Sequence, residues 1–298
     1  GRPMVKIKAR PMSDYGAAAC HAVRGSHHIV YSSERQRHRM TTTIPVSYVM
    51  EERFFRLDQQ HWILWAPDEP VEADFEDLCR RYFEMTTANW RLWVRGLFVP
   101  FEWQEPVIRA AITLKLCMFE ETGAIVAALT TSIPEAANTI RNWDYRFCWL
   151  RDSVFVIRAL NRLGVTRTME QYIGFITDVI DNAQNGVIQP VYGISLEADL
   201  TETTAPALAG YRGMGPVRVG NAAYYQVQND VFGSMVLAAV HLFFDHRLLR
   251  KPANEELYGQ LEDLGKRAAA VYDQPDAGLW ELRGTASPVT TVLKVNGG

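Results

Sequence analysis

Near residue 70 the hydrophobic periodicity of this chain changes from strand-like to helical, and that switch restricts the fold more than any single motif. On the N-terminal side, Val5-Lys6-Ile7-Lys8-Ala9 alternates apolar with charged residues. His28 to Tyr31, Met40 to Tyr48 and Trp62 to Trp65 are short β-branched or aromatic runs between turn-rich pieces. Alternation lays one side of each strand on a core, so residues 1–70 read as antiparallel β-structure. Phe75, Leu78, Phe83 and Met85 then fall near a 3.6-residue period that continues to Trp90 and Trp93, which predicts a helix over 71–96 within a linking segment 71–104.

From residue 105 to 298 everything periodic is helical. Glu105-Pro106 suits a helix start, and Val107 to Phe119 is apolar on more than one side, so that helix is expected to be buried. Asp152 and Ser153 precede Val154, Ile157, Leu160 and Leu163, with Gly164 as a stop signal. Further helices are predicted at 167–182, 223–245 and 254–273, the last with Asn254 as N-cap and Leu257, Leu261, Leu264 and Ala268 on one face. Helices in succession with no strands between them argue against a parallel α/β sheet. The glycine-bearing stretch 183–222 is too long for an idle connection and reads as a functional loop.

Composition narrows the class of partner. Lys and Arg total 31 against 34 Asp and Glu, a net charge of −3, which provides no basic footprint for nucleic acid. No apolar run is long enough to span a bilayer, and Gly1-Arg2-Pro3-Met4 is not a leader, so the chain reads as cytoplasmic with a small, neutral partner. Cys20, Cys79, Cys117 and Cys148 are widely spaced and read as reduced, packed thiols.

Two segments carry chemistry. Arg141 to Ser153 (RNWDYRFCWLRDS) is the densest mixture of aromatic and charged residues in the chain. Sugars are held by such mixtures, because aromatic faces cover the C–H side of a pyranose while carboxylate and guanidinium groups meet vicinal hydroxyls. The plainer alternative is that Asp152 caps a helix and the aromatics fill a core. Gly278-Leu279-Trp280-Glu281-Leu282-Arg283-Gly284 places a carboxylate beside an indole. Desolvation there would keep Glu281 protonated, as a general acid requires, although a lone Glu is more often a surface or salt-bridged residue.

Taken together and in order, these segments resemble glycoside hydrolase family 15, the glucoamylases and related bacterial enzymes. The resemblance runs from about residue 5 to 284. Its most specific parts are Asn142 to Asp152, Tyr211-Arg212-Gly213 with Pro216 to Ala223, and Gly278 to Glu281; Pro100 to Glu105 and Thr122 to Ala128 look like the bacterial branch. It implies an N-terminal β-sandwich followed by an all-α (α/α)6-type barrel, here incomplete, and an inverting mechanism on α-linked glucosides that needs no cofactor. By match, Arg151 and Asp152 would bind hydroxyls of the nonreducing-end glucose, Tyr145 and Trp149 would line that subsite, Glu281 would be the acid and Trp280 would shape its surroundings. Tyr192, Tyr211, Arg218 and Asn221 fall in the equivalents of pocket-forming loops. The leading expectation is glucose release from α-glucans; cleavage of trehalose, as by bacterial members with similar motifs, is the alternative, and an inactive sugar-binding fragment a third.

Three departures bear on this. Leu282 stands where fungal glucoamylases have a second acidic residue. Thr285-Ala286-Ser287-Pro288 breaks a helix where the family continues into one. The family's general base lies downstream of anything matched here, so the chain alone is expected to show little turnover. Other signals are read as inert: His21, His27, His28 and His38 match no common ligand spacing and read as a solvated turn, Arg35 to Arg39 as a solvated loop, and Gly210 to Gly215 lacks the flanking strand of a dinucleotide loop.

Overall fold

Alternation in the N-terminal third is realised as short strands. The computed structural model describes residues 1–71, 74–183, 186–248 and 253–281. These form two compact units, one of residues 1–93 with 205–208, the other of residues 94–204 with 209 onward.

In the first unit, β1 (Met4–Val5) pairs with a later strand, while β2 (Met12–Ser13) and β3 (Ala18–Ala19) form a hairpin. A four-stranded antiparallel sheet follows from β4 (His21–Arg24), β5 (His28–Ser32), β6 (Arg37–Thr42) and β8 (Ile63–Pro67). Pro45 ends the extended run and opens α1 (Val46–Met50), so Met40 to Tyr48 is strand and then helix; β7 (Phe55–Arg56) returns to pair with β1. Ile29, Tyr31, Met40, Ile44, Val46, Val49 and Phe55 make the core, with Val5, Ile7 and Ala9 packed on it, although only Val5 of that alternating run is in a strand.

Two expectations fail here. The histidines do not share a turn: His21, His28 and His38 lie on β4, β5 and β6. Arg37 and Arg39 are not in a loop; both are on β6, each 2.9 Å from the Asp68 carboxylate, which gives them a partner on the sheet.

The linking helix is α2 (Phe75–Arg95), and its predicted apolar face is only partly covered: Phe75, Leu78, Trp90 and Trp93 are half-buried. Cys79 is buried while Phe83 and Met85 are exposed, Phe83 meeting Trp62 edge-on. In the second unit α3 (Gln104–Leu116) was expected to be buried and is not: Ala111 alone is. Val107, Ile108, Ile112 and Leu114 are half-buried beside it while Arg109, Ala110 and Thr113 are exposed, so one side of the helix is turned inward and the other is not.

The core of this unit comes from four later helices. After β9 (Cys148–Trp149), α4 (Leu150–Arg162) buries Val154, Ile157 and Leu160 at three-residue spacing, and Gly164, at φ +83°, closes it. The helix starts two residues before Asp152, which therefore stands in the first turn and is not the N-cap. On that core lie Tyr172, Phe175 and Ile176 of α5 (Thr166–Asn182).

The stretch after α5 is tied down by two strand pairs. β10 (Val191–Tyr192) pairs with β9, and β11 (Thr203–Thr204) with β12 (Arg218–Val219). The helix expected over 223–245 is shorter: Ala222–Tyr225 is one 3-10 turn ended by Gln226 in extended geometry, and α6 (Asp230–Ala239) begins only after Gln228 and Asn229 have made bonds elsewhere. Met235 and Ala238 of α6 and Leu257, Leu261 and Leu264 of α7 (Glu255–Val271) complete the core. Asn254 caps α7, its Oδ1 accepting from Leu257 N at 2.9 Å. The mixed, β-then-α order read from the periodicity is thus present. The departures at Leu282 and Thr285 to Pro288 lie outside the described residues.

Candidate active site

One cavity of about 800 Å³ in the second unit collects most of the residues singled out from sequence. Its floor is built by the segment before α4. Asp144 is fully buried and accepts from Arg146 Nε at 2.8 Å and Nη2 at 2.7 Å, while Gly220 N donates to its Oδ2 at 3.2 Å. Asn221 Nδ2 donates to the Asp144 carbonyl at 3.0 Å. A buried carboxylate with this many donors is satisfied, and here it fastens the 142–152 segment to the 218–223 loop. Gly220 has to be glycine, since at φ +82° an added Cβ would stand 2.3 Å from the Thr201 carbonyl oxygen.

Pairing of β9 with β10 sets Trp149 opposite Val191, and its ring lies 5.9 Å from that of Tyr145. Both line the cavity. Burial, and then the charges of Glu135 and Glu281, push the Tyr145 hydroxyl up to about 12. The first turn of α4 then presents Arg151 and Asp152.

Arg151 is the electrostatic centre. Its Nη1 donates to Gln228 Oε1 at 2.8 Å and lies 3.5 Å from Asp230; its Nη2 stands 3.4 Å from Asp152 Oδ2 and 3.2 Å from Glu281 Oε1. The Asp152 carboxyl opens on the cavity, its side chain 48% exposed. Burial raises its pKa, Arg151 opposes that, and the Glu281 charge adds to the rise. Burial likewise raises Asp230, against the pull of Arg151.

Glu281 reaches the cavity from a turn that begins at Gly278 and puts Glu281 itself at φ +51°. Non-glycine residues hold that conformation only where neighbours over-determine it. Here buried Asp276 accepts from Gly278 N at 2.9 Å and from Asn229 N at 2.8 Å, anchoring the turn to the start of α6. One oxygen, Glu281 Oε1, accepts from Trp149 Nε1 at 2.7 Å, Gln228 Nε2 at 3.0 Å and Arg151 Nη2 at 3.2 Å.

A sugar-sized cavity lined by three carboxylates, three arginines and aromatic walls agrees with what comparison of the sequence finds. Residues 104–297 match the model of the glycosyl hydrolases family 15. The chain belongs to that family. The trehalase of Mycobacterium tuberculosis is 38% identical over 230 residues, 76% of this chain and 33% of the relative. The trehalase of Mycolicibacterium smegmatis is 36% identical over 225 residues, again 33% of its length, and that of Thermoplasma acidophilum is 29% identical over 291 residues, 94% of this chain and 48% of the relative. The chain therefore spans about a third to a half of these relatives. No solved structure matches it.

Of the residues that the family resemblance assigned, Tyr145, Trp149, Arg151, Asp152, Arg218, Asn221, Trp280 and Glu281 line the cavity and Tyr211 does not. Tyr211 sits in a tight turn closed on Met214, its ring 46% exposed under the Arg212 guanidinium. Tyr192 is buried, its hydroxyl held by Gln189 N. Trp280 also departs from expectation, because it is 80% exposed and the indole that meets Glu281 is that of Trp149.

Arg218 spreads over Trp143, 5.0 Å from the ring, and pairs with Glu202 at 3.0 Å. Sequence reading missed Glu135, Gln228 and Asp230, and took Trp143 only as part of the 141–153 segment. Glu135 lines the cavity and accepts from Trp143 Nε1 at 2.7 Å and Arg141 Nε at 2.5 Å. The polar alternation Gln226, Gln228, Asp230 was the available signal, because three polar residues at two-residue spacing do not fit an apolar helix start.

Proposed function

We propose that the full-length protein carrying this chain hydrolyses the α-glucosidic bond of trehalose, with Glu281 as general acid and Arg151 and Asp152 as ligands of the glucose hydroxyls. The observation that carries this is the convergence of Asp152, Arg151 and Glu281 on one aromatic-walled cavity. The choice of trehalose over longer glucans is supported by the relatives, which are named trehalases.

In the proposed step Glu281 gives its proton to the glycosidic oxygen as the bond to the anomeric carbon breaks. A water on the opposite face of the ring adds to that carbon and loses its proton to a second carboxylate. Asp152 is read as a hydroxyl ligand and not as that base. It shares one guanidinium nitrogen with Glu281, which leaves little room for a water across a sugar ring, where inverting pairs stand roughly 6.5–9.5 Å apart. Among the described residues the other cavity carboxylate is Glu135, committed to Trp143 and Arg141. We place the base in the part of the longer relatives that this chain does not match. The same reading divides the chain into a β-sandwich at 1–70, a link at 71–104 and part of an (α/α) barrel from 105 to 298. The test is glucose release from trehalose by the full-length protein and by Glu281→Gln, which should be inactive; sustained turnover by Glu281→Gln would refute the acid.

A further inference from the structure

We propose that Gln228 is a positioning residue that fixes which oxygen of Glu281 carries the transferred proton. The inference rests on the reading of Glu281 as the acid. Gln228 is 4% exposed and does not line the cavity, so its side chain acts through its neighbours. Its amide is fully used: Oε1 accepts from Arg151 Nη1 at 2.8 Å, and Nε2 donates to Gln226 Oε1 at 3.1 Å and to Glu281 Oε1 at 3.0 Å. Arg151 in turn donates to the same Glu281 oxygen, so the three residues close a ring.

The donors decide where a proton can sit. Indole and guanidinium N–H groups can only donate, and the Gln228 amide presents its NH2 to Glu281 because its oxygen is taken by Arg151. Glu281 Oε1 therefore faces three donors, with no direction left for a proton of its own. The proton belongs on Oε2. Glutamine suits this position because it supplies an acceptor to Arg151 and a donor to Glu281 from one planar group. Glutamate could not donate in its ionised form, and methionine could do neither.

Removing one of these donors leaves Oε1 open to the proton, so that the acid no longer presents it from one fixed oxygen and its transfer slows. The other charged or titratable groups facing Glu281 are Arg151 and Asp152 from α4 and Tyr145 from the segment before it, with Asp230 of α6 acting through Arg151.

The experiment measures kcat and KM for trehalose against pH in the full-length protein and in Gln228→Met, Gln228→Glu and Glu281→Gln, with melting temperatures alongside. For Gln228→Met the expectation is a fall in kcat of about tenfold with little change in KM. Gln228→Glu, isosteric and still able to accept from Arg151 but without an N–H for Glu281, should lower kcat in the same way, and it decides the matter if the methionine variant does not fold. Folded variants that keep the wild-type kcat, or that lose activity through KM alone, would overturn the proposal. Turnover surviving in Glu281→Gln would instead remove the acid assignment beneath it.

Discussion

Asp152 stands beside Arg151 and Glu281 with its side chain 48% exposed. Its pKa is raised by burial and by the Glu281 charge, so the folded chain binds that proton more readily than the unfolded chain does. The contribution to stability falls as pH rises from the ordinary carboxylate range through the folded pKa, and it stays lower above that. Asp152→Asn should therefore keep or raise the melting temperature at neutral pH, while the full-length protein loses on the order of 3 kcal/mol or more of transition-state stabilisation, read as kcat/KM for trehalose. A lowered melting temperature with unchanged kcat would mean that Asp152 is structural. Asp152, Arg151 and Glu281 were legible in the sequence because they stand in dense aromatic and charged segments. Glu135 was not, because it lies eight residues before the Trp143 whose indole it binds, in a stretch of small and apolar residues. The partner of Glu281 was misread for a geometric reason: adjacency suggested Trp280, but the turn that holds Glu281 at positive φ leaves that ring outward, and Trp149 reaches it from 132 positions away.

At the scale of elements, two positions test how the site is carried. Gly220→Ala should cost roughly 2 kcal/mol or more, since the residue must take a left-handed conformation and its Cβ would press on the Thr201 carbonyl; the loss would be read by denaturant unfolding of the chain. It should also lower trehalose turnover in the full-length protein, because Gly220 N and Asn221 join the 218–223 loop to Asp144. Wild-type stability in Gly220→Ala would show that the loop relaxes freely. Asn254→Ala removes the bond to Leu257 N at the start of α7 and should cost about 1 kcal/mol in the same unfolding measurement without touching the cavity. That cap and the stop at Gly164 could be read from sequence because they are local. The exposure of α3 and the late start of α6 could not, because each depends on which distant groups are available to pack against or to bond with.

The whole molecule is a member of glycosyl hydrolases family 15 in which a β-rich N-terminal part precedes helices that carry the cavity. Periodicity was enough to read that order, while the identity of the sugar was beyond it. Since the chain spans a third to a half of its relatives, and the cavity carboxylates described here include no free partner for Glu281, the 298-residue chain by itself should release little glucose. The full-length protein should be active. The most direct measurement is glucose release by the full-length protein from trehalose, maltose and maltotriose offered separately, with Glu281→Gln beside the wild type. The expected result is turnover of trehalose well above the other two sugars and its loss in Glu281→Gln. Turnover of maltotriose with trehalose untouched, or trehalose cleavage that survives the substitution, would contradict the proposed function.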